Sequence, residues 1–299
     1  MHPDDNTHAK GLMLTAIGGM ALTIDIPLIR LAQGEAWSIL LYRSVTTFIV
    51  SVTVWWIWRT WRGNAPALVP GLPGLAVAGL YAMSSITFMT AVYNTSTANL
   101  VFILAFNTGF AALLSWIFLR ERPRPATLLT MVAMVGGVAI IVWDGIGTGN
   151  LLGDALALAS AFFIAAAITV TRASGRDMGF TPLVSVIVPA LIALFIVRDT
   201  GVKVDAPWWI ILNGAIIIPI SFFCLATGPK YISGPEVAMF YLLETVLAPV
   251  WMWLIFNEVP TRNSMIGGAI LIVALVAHSL WQLLDGRRRR VATMVRHPA

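Results

Sequence analysis

The sequence is short of everything that dresses a water-facing surface. Only 11% of its 299 residues are charged, well below the quarter typical of soluble domains, so it cannot cover a core of this size with solvated side chains. Its one cysteine, Cys224, stands in an apolar run. An intrachain disulfide is therefore excluded, and the residue reads as small buried filler. The four histidines are at 2, 8, 278 and 297, three of them in polar tails, which leaves no convergent ligand set for a metal or a catalytic base. His-Glu-x-x-His, Gly-x-Ser-x-Gly and Walker sequences are all missing. A membrane-embedded enzyme has little to build on here, and a built-in ATP motor is excluded. No cofactor is expected.

What is present is apolar sequence: 58% hydrophobic residues and a mean hydropathy of +0.84. A membrane span needs about 20 mostly apolar residues, and ten candidates follow one another at 11–30, 37–58, 71–93, 97–119, 126–143, 152–172, 180–198, 207–228, 234–256 and 264–284. The connectors are short and carry turn chemistry, as in Arg62-Gly63-Asn64-Ala65-Pro66. The first run carries Asp25 and Pro27 and is followed by no clean small-x-small cleavage site. It reads as a retained first helix rather than a signal peptide. With ten spans both termini share a side. Fourteen Lys and Arg residues fall on that side and four on the other, with Arg43 inside a span. Basic residues mark cytoplasmic loops, so both termini are expected in the cytoplasm of a bacterial inner membrane. The Arg287–Arg290 run is then expected at the inner leaflet, against anionic lipid rather than nucleic acid.

The chain also repeats itself. Shifted by 137 residues, 84–123 falls on 221–260: Ser84 meets Ser221, Thr108 meets Thr245, Trp116 meets Trp253, and Glu121 and Pro123 meet Glu258 and Pro260. Near the start a shift of 142 aligns Gly11 with Gly153 and Arg30 with Arg172. Five helices is an odd number, so the second copy must enter the membrane in the opposite sense, as the loop charges also require. The expected fold is therefore an all-α polytopic membrane protein, with ten helices in two inverted five-helix repeats (1–148 and 149–299) around a central cavity.

With Glu121-Arg122-Pro123 and Glu258-Val259-Pro260 after the fourth helix of each half, and Gly11-Leu12 and Gly153-Asp154 opening the halves, the chain resembles the drug/metabolite transporter superfamily in its EamA-type branch. Within that branch it is similar to exporters of amino acids, the aromatic ones especially. Gly267, common at its place in the family, is matched by Thr130 in the first half. The resemblance implies a secondary carrier working by alternating access on a small-molecule substrate, as a monomer or weak homodimer.

Ionisable and polar groups inside a membrane are costly and so are candidates by default. Asn107 and Glu244 correspond under the 137 shift, and each lies about 15 Å from the start of its helix, near the midplane. Glu244 is suited to hold a substrate ammonium or a proton, or else to be a hydrogen-bonded structural carboxyl. Asp25 and Arg43 lie at matching depth in the first two helices, where they can pair, either as a structural ion pair or as a substrate site or outer latch. Tyr81, Phe106, Phe163 and Tyr241 fall in the same layer, with Tyr241 one turn from Glu244; they can stack on an aromatic or cationic solute, or simply pack. Pro27, Pro219 and Pro249 interrupt spans and are candidate hinges or static kinks. Glu258 and Glu121 precede helix starts and are expected to stabilise those ends. The competing functions are multidrug or lipophilic-cation efflux and carriage of another metabolite. A nucleotide carrier would need a cluster of basic residues in the membrane, where only Arg43 is available.

Overall fold

The structure, a computed structural model, describes residues 3–63, 65–120, 125–176, 178–227, 231 and 234–296, with the backbone path alone for some stretches inside helices. Glu121, Arg122 and Pro123 lie outside the described residues, as do the side chains of Glu236, Tyr241 and Arg287–Arg290. The described chain is helical, with a single isolated β-bridge between Gly34 and Val204.

In order the helices are α1 (Pro3–Leu22), α2 (Asp25–Leu31), α3 (Ala36–Arg62), α4 (Gly71–Asn94), α5 (Thr97–Ala105), α6 (Asn107–Leu119), α7 (Pro125–Thr148) and α8 (Leu151–Ser174). Then come α9 (Thr181–Ser185), α10 (Ile187–Thr200), α11 (Pro207–Leu212), a π-helical turn (Asn213–Ile217), α12 (Ile218–Thr227), α13 (Gly234–Phe256) and α14 (Arg262–Arg296). Several neighbours are pieces of one span. Among the described residues, eight helices or bent helix pairs are long and apolar enough to cross a membrane, from Ala9–Leu31 to Pro207–Leu225. They coincide with the first eight expected spans to within a few residues. Over the described side chains, the apolar parts of α13 and α14 are shorter, Leu243–Phe256 and Arg262–His278. Large apolar side chains face outward: Leu129, Val132 and Phe195 are 73%, 70% and 72% exposed. Such a surface is stable against lipid and not against water, so the protein is a multi-pass membrane protein.

Packing follows small residues, because lipid tails give apolar helices no reason to prefer one another and close backbone approach must supply the attraction. The most extensive pairings are α4 with α8, α7 with α14, α1 with α12 and α3 with α10. Between α4 and α8 the hydroxyls of Ser84 and Ser160 meet at 2.9 Å, beside the fully buried Ala157, Ala161 and Ala165. Between α1 and α12 a methyl group on Gly18 would lie 2.8 Å from Cys224 Cβ. At the α7–α14 crossing a methyl on Gly137 would lie 2.8 Å from the Gly267 carbonyl oxygen, and one on Gly267 would lie 2.6 Å from that of Gly137. Gly267 therefore faces Gly137, two turns along from the Thr130 that the sequence shift pairs with it.

Two ties close the end of the bundle opposite the N-terminus. The chain at 33–35 zips onto 203–205, with Glu35 N–H donating to Lys203 O at 3.0 Å and Asp205 N–H to Gln33 O at 3.0 Å, and an exposed Lys203–Glu35 ion pair at 2.7 Å. In the second tie Glu258 departs from expectation: its carboxylate accepts from Thr97 N–H at 2.7 Å and Thr97 Oγ1 at 3.2 Å. It thereby satisfies one free amide at the start of α5, beside the Ser96 hydroxyl that takes the Asn99 amide, rather than the helix that follows it in sequence.

Candidate functional site

Two prolines shape the site. Pro27 has no N–H, and its ring crowds the carbonyl four residues back, so the first span breaks at Thr23-Ile24 and restarts as α2 with Asp25 at its head. Pro219 likewise cannot bond back to Ala215, and the chain just before it widens into the π-helical turn that opens at Asn213. The two irregularities face each other. Arg43 Nη2 on α3 donates to both oxygens of Asp25, at 3.1 and 2.8 Å, and its Nε donates to Asn213 Oδ1 at 3.1 Å. Asn213 Nδ2 returns to Asp25 Oδ1 at 2.6 Å and to the Asp25 carbonyl at 3.2 Å. The Phe88 ring lies 5.4 Å from the guanidinium carbon, where its negative face adds cation–π attraction. Side-chain exposure is 12% for Arg43 and 4% for Asp25, so each charge depends on the other. Gly214 permits the approach: a methyl there would lie 2.1 Å from Thr46 Oγ1 and 2.6 Å from the Arg43 carbonyl oxygen. Thr47 Oγ1 then donates to the Gly214 carbonyl at 2.8 Å.

From the other side α13 closes on this knot. Trp251 Nε1 donates to Thr23 Oγ1 at 3.2 Å. Glu244 is half-buried and sits on the same helix, two turns before Trp251. Asp25, Arg43 and Asn213 satisfy one another, whereas no hydrogen bond reaches the Glu244 carboxylate among the described residues. With Asp25, Arg43 and Glu244 all ionised, two carboxylates and one guanidinium leave one negative charge in excess. The chemical complement of such a charge is a cation, a proton or an ammonium group.

Of the other expected residues, Asn107 opens α6 after a bend at Phe106, half-buried, with no hydrogen bond to its side-chain amide among the described residues. Phe106 and Phe163 end a single edge-to-face row, Phe106–Phe110–Phe162–Phe163, with ring centroids 4.8, 5.6 and 5.9 Å apart. Tyr81 lies elsewhere, packed with Val77, Ala167 and Met178. Its hydroxyl has no hydrogen-bond partner among the described residues, so the polar partner that its phenol called for is not found there. The backbone of Tyr241 belongs to α13 and its side chain lies outside the described residues. Pro249 sits inside an α13 that runs on unbroken, unlike Pro27 and Pro219. No three His, Cys, Asp or Glu side chains gather as a metal site among the described residues.

Sequence reasoning missed two features. Asn213 is one polar residue in a long apolar run six positions before a proline, and the cost of intramembrane polarity was signal enough to single it out. The second is a buried polar knot beside the Glu258 tie. Asp154, 0% exposed, accepts from Thr95 Oγ1 at 2.5 Å and from Asn99 Nδ2 at 3.3 Å, while Ser264 Oγ donates to Asn99 Oδ1. Gly153 allows it, since a methyl there would lie 2.3 Å from the Asn94 carbonyl.

Comparison with known proteins adds to this geometry. A profile of the EamA-like transporter family matches twice, over residues 9–143 and 151–280. The chain is 22% identical over 276 residues to the pseudopaline exporter of Pseudomonas aeruginosa, covering 90% of this chain and 96% of that one. It is 26% identical over 222 residues to human solute carrier family 35 member G1, covering 67% and 60%. It is 24% identical over 171 residues to the uncharacterized transporter YdfC of Bacillus subtilis, covering 54% and 56%. A solved crystal structure superposes with a TM-score of 0.63 at 16% identity, over 90% of this chain and 99% of that one, a likeness of fold alone.

Proposed function

Because the chain belongs to the EamA-like transporter family and is a membrane transporter, we propose that it exports amino acids or related small metabolites across a bacterial inner membrane by alternating access, with Glu244 receiving the substrate's amine. The observation that carries this is the division of labour among the buried charges. Asp25 is saturated by Arg43 and Asn213, while the neighbouring Glu244 has no hydrogen bond among the described residues. A carboxylate held half-buried and unpaired is expensive, and the expense is offset when a cation arrives. Asn107, its counterpart under the sequence shift, also keeps a free amide to offer a polar group. The row from Phe106 to Phe163 supplies faces and edges for an apolar or aromatic side chain. Export is the direction carried by the name of the Pseudomonas relative.

The two family matches, one on each side of residues 144–150, support two repeats, 1–148 and 149–299, and with them ten helices with inverted halves. The small-residue pairings support the same symmetry: Ser84 on Ser160 joins α4 to α8, while Ser221 and Gly18, their counterparts under the two shifts, stand at the α12–α1 contact. The basic-residue count supports cytoplasmic termini.

The test is counterflow into proteoliposomes holding the purified protein, with a panel of amino acids and amines, across imposed pH gradients. Glu244→Gln keeps the size of the side chain and removes its charge. Flux of at least one amine-bearing solute is expected in the wild type, and a drop of tenfold or more with loss of the pH response in the variant. Unchanged flux in Glu244→Gln would remove the carboxylate from the mechanism. A second solute class, lipophilic cations, is favoured by the same unpaired carboxylate beside aromatic rings. It is distinguished by flux of a quaternary ammonium that no amino acid inhibits.

A further inference from the structure

Helix α3 is 27 residues long, about 40 Å at 1.5 Å per residue, which exceeds the roughly 30 Å hydrocarbon core and approaches the thickness with headgroups included. Its last residue, Arg62, therefore reaches the headgroup layer, while Val54, two turns earlier, lies within the hydrocarbon. Along this stretch the surface is indented by a groove of about 320 Å³, lined by Val54, Ile57, Trp58, Trp61, Arg62 and Phe223. The Trp58 indole stands edge-on to both Phe180 and Phe223, with centroids 6.1 and 6.2 Å away, so the wall of the groove is braced by α9's flank and by α12. At its mouth Trp61 is 86% exposed. Arg59 is taken up by the Trp55 ring at 5.1 Å. The side chain of Arg62, exposed at the same mouth, makes no hydrogen bond or ion pair among the described residues.

From this we infer that the groove is a binding site for one anionic phospholipid, with an acyl chain along Val54, Ile57, Trp58 and Phe223, the glycerol region under Trp61, and the phosphodiester on Arg62. Depth and charge together select this occupant. The apolar lining lies where acyl chains are, the indole at the interface where tryptophan is enriched, and a free guanidinium where phosphates are, with the planar fork that matches phosphate oxygens. A second copy of the chain is a poor occupant, since six lining side chains fall far short of the roughly 20–30 residues a side of a stable interface. The site joins α3 to α12, whose preceding π-turn carries Asn213, and it is separate from Glu244 and its substrate.

Brominated lipids test it, because bromine quenches tryptophan only on contact. The full chain is reconstituted in phosphatidylcholine vesicles containing a small fixed fraction of either brominated phosphatidylglycerol or brominated phosphatidylcholine. The quenching due to Trp61 is isolated as the difference between wild type and Trp61→Phe. Phosphatidylglycerol is expected to quench that component at least threefold more than phosphatidylcholine at equal fraction. The ratio should fall to about one in Arg62→Gln, recover partly in Arg62→Lys, and shrink as salt is raised. Each variant is accepted only if its melting temperature matches the wild type. Equal quenching by the two lipids in wild type would mean ordinary bulk lipid and overturn the site. Protection of Trp61 from both lipids, with a cross-linked dimer, would overturn it in favour of a second copy.

Discussion

A single buried contact decides how much each substitution costs. Removing Asp25 leaves the Arg43 guanidinium buried and deprived of its carboxylate, a loss of roughly 3–5 kcal/mol when one partner of a buried pair is deleted. Asp25→Ala is therefore expected to lower the melting temperature in detergent sharply, and Arg43→Ala to do the same. The triple change Asp25→Leu, Arg43→Met, Asn213→Leu removes the whole polar knot instead of half of it. Since apolar replacement of a buried pair is often neutral or better, it is expected to melt close to wild type yet carry no substrate. A triple variant that melts as low as Asp25→Ala would mean that the knot contributes net stability. The pairing of Asp25 with Arg43 was legible from depth alone, because helical rise converts sequence position into height. The polarity of Asn213 could mark it as a candidate but not give its partner, because it lies 188 residues from Asp25 and height does not say which faces of two helices meet.

At the scale of helices, the positions of the first eight spans could be read in advance because twenty apolar residues in lipid have one low-energy form, with every backbone group bonded internally. Which helix packs on which could not, and the glycines show why. Gly136 and Gly137 are neighbours, but a methyl on Gly136 meets nothing within 4 Å while one on Gly137 meets the Gly267 carbonyl. Nothing in the local sequence separates them. Gly136→Ala is expected to be neutral, or to stabilise by up to about 1 kcal/mol through helix propensity. Gly267→Val must push α14 off α7 and is expected to cost about 1–3 kcal/mol or more, read as lost thermal stability with the fold otherwise retained. Equal effects of the two would contradict the crossing at Gly137 and Gly267. Glu258 teaches the same lesson, since its amide partner Thr97 is 161 residues away and no local cap pattern points to it.

For the molecule as a whole, the Lys203–Glu35 pair spans the junction between 33–35 and 203–205 at 2.7 Å, with both side chains more than half exposed. The sequence holds just three lysines, at 10, 203 and 230, so few side-chain amines can capture a carboxyl activated by a zero-length carbodiimide. It is expected to join Glu35 to Lys203 as an amide, seen as one cross-linked peptide by mass spectrometry, and to stop flux in proteoliposomes by holding this end shut. Lys203→Arg keeps the charge and lacks the reactive amine, and should transport normally before and after treatment. Full flux in the cross-linked wild type would mean that these loops need not part during transport. Together with the Asp154 and Glu258 contacts, this makes the closed end a set of polar bonds rather than an apolar seal.

The π-turn at Asn213–Ile217 has one more consequence. A stretch bonded five residues back holds one residue beyond what an α-helix of the same rise requires. Dropping Ile216 should let that stretch tighten into ordinary helix, with α12 keeping its original facing. Dropping one residue from the regular middle of α8 would instead swing everything downstream by about 100°. A deletion scan across the chain is thus expected to find an island of tolerance at 214–217 for insertion into the membrane, and a loss of carriage there as Asn213 leaves Asp25. The bulge adds one residue to the span and leaves Asn213 aimed at Asp25.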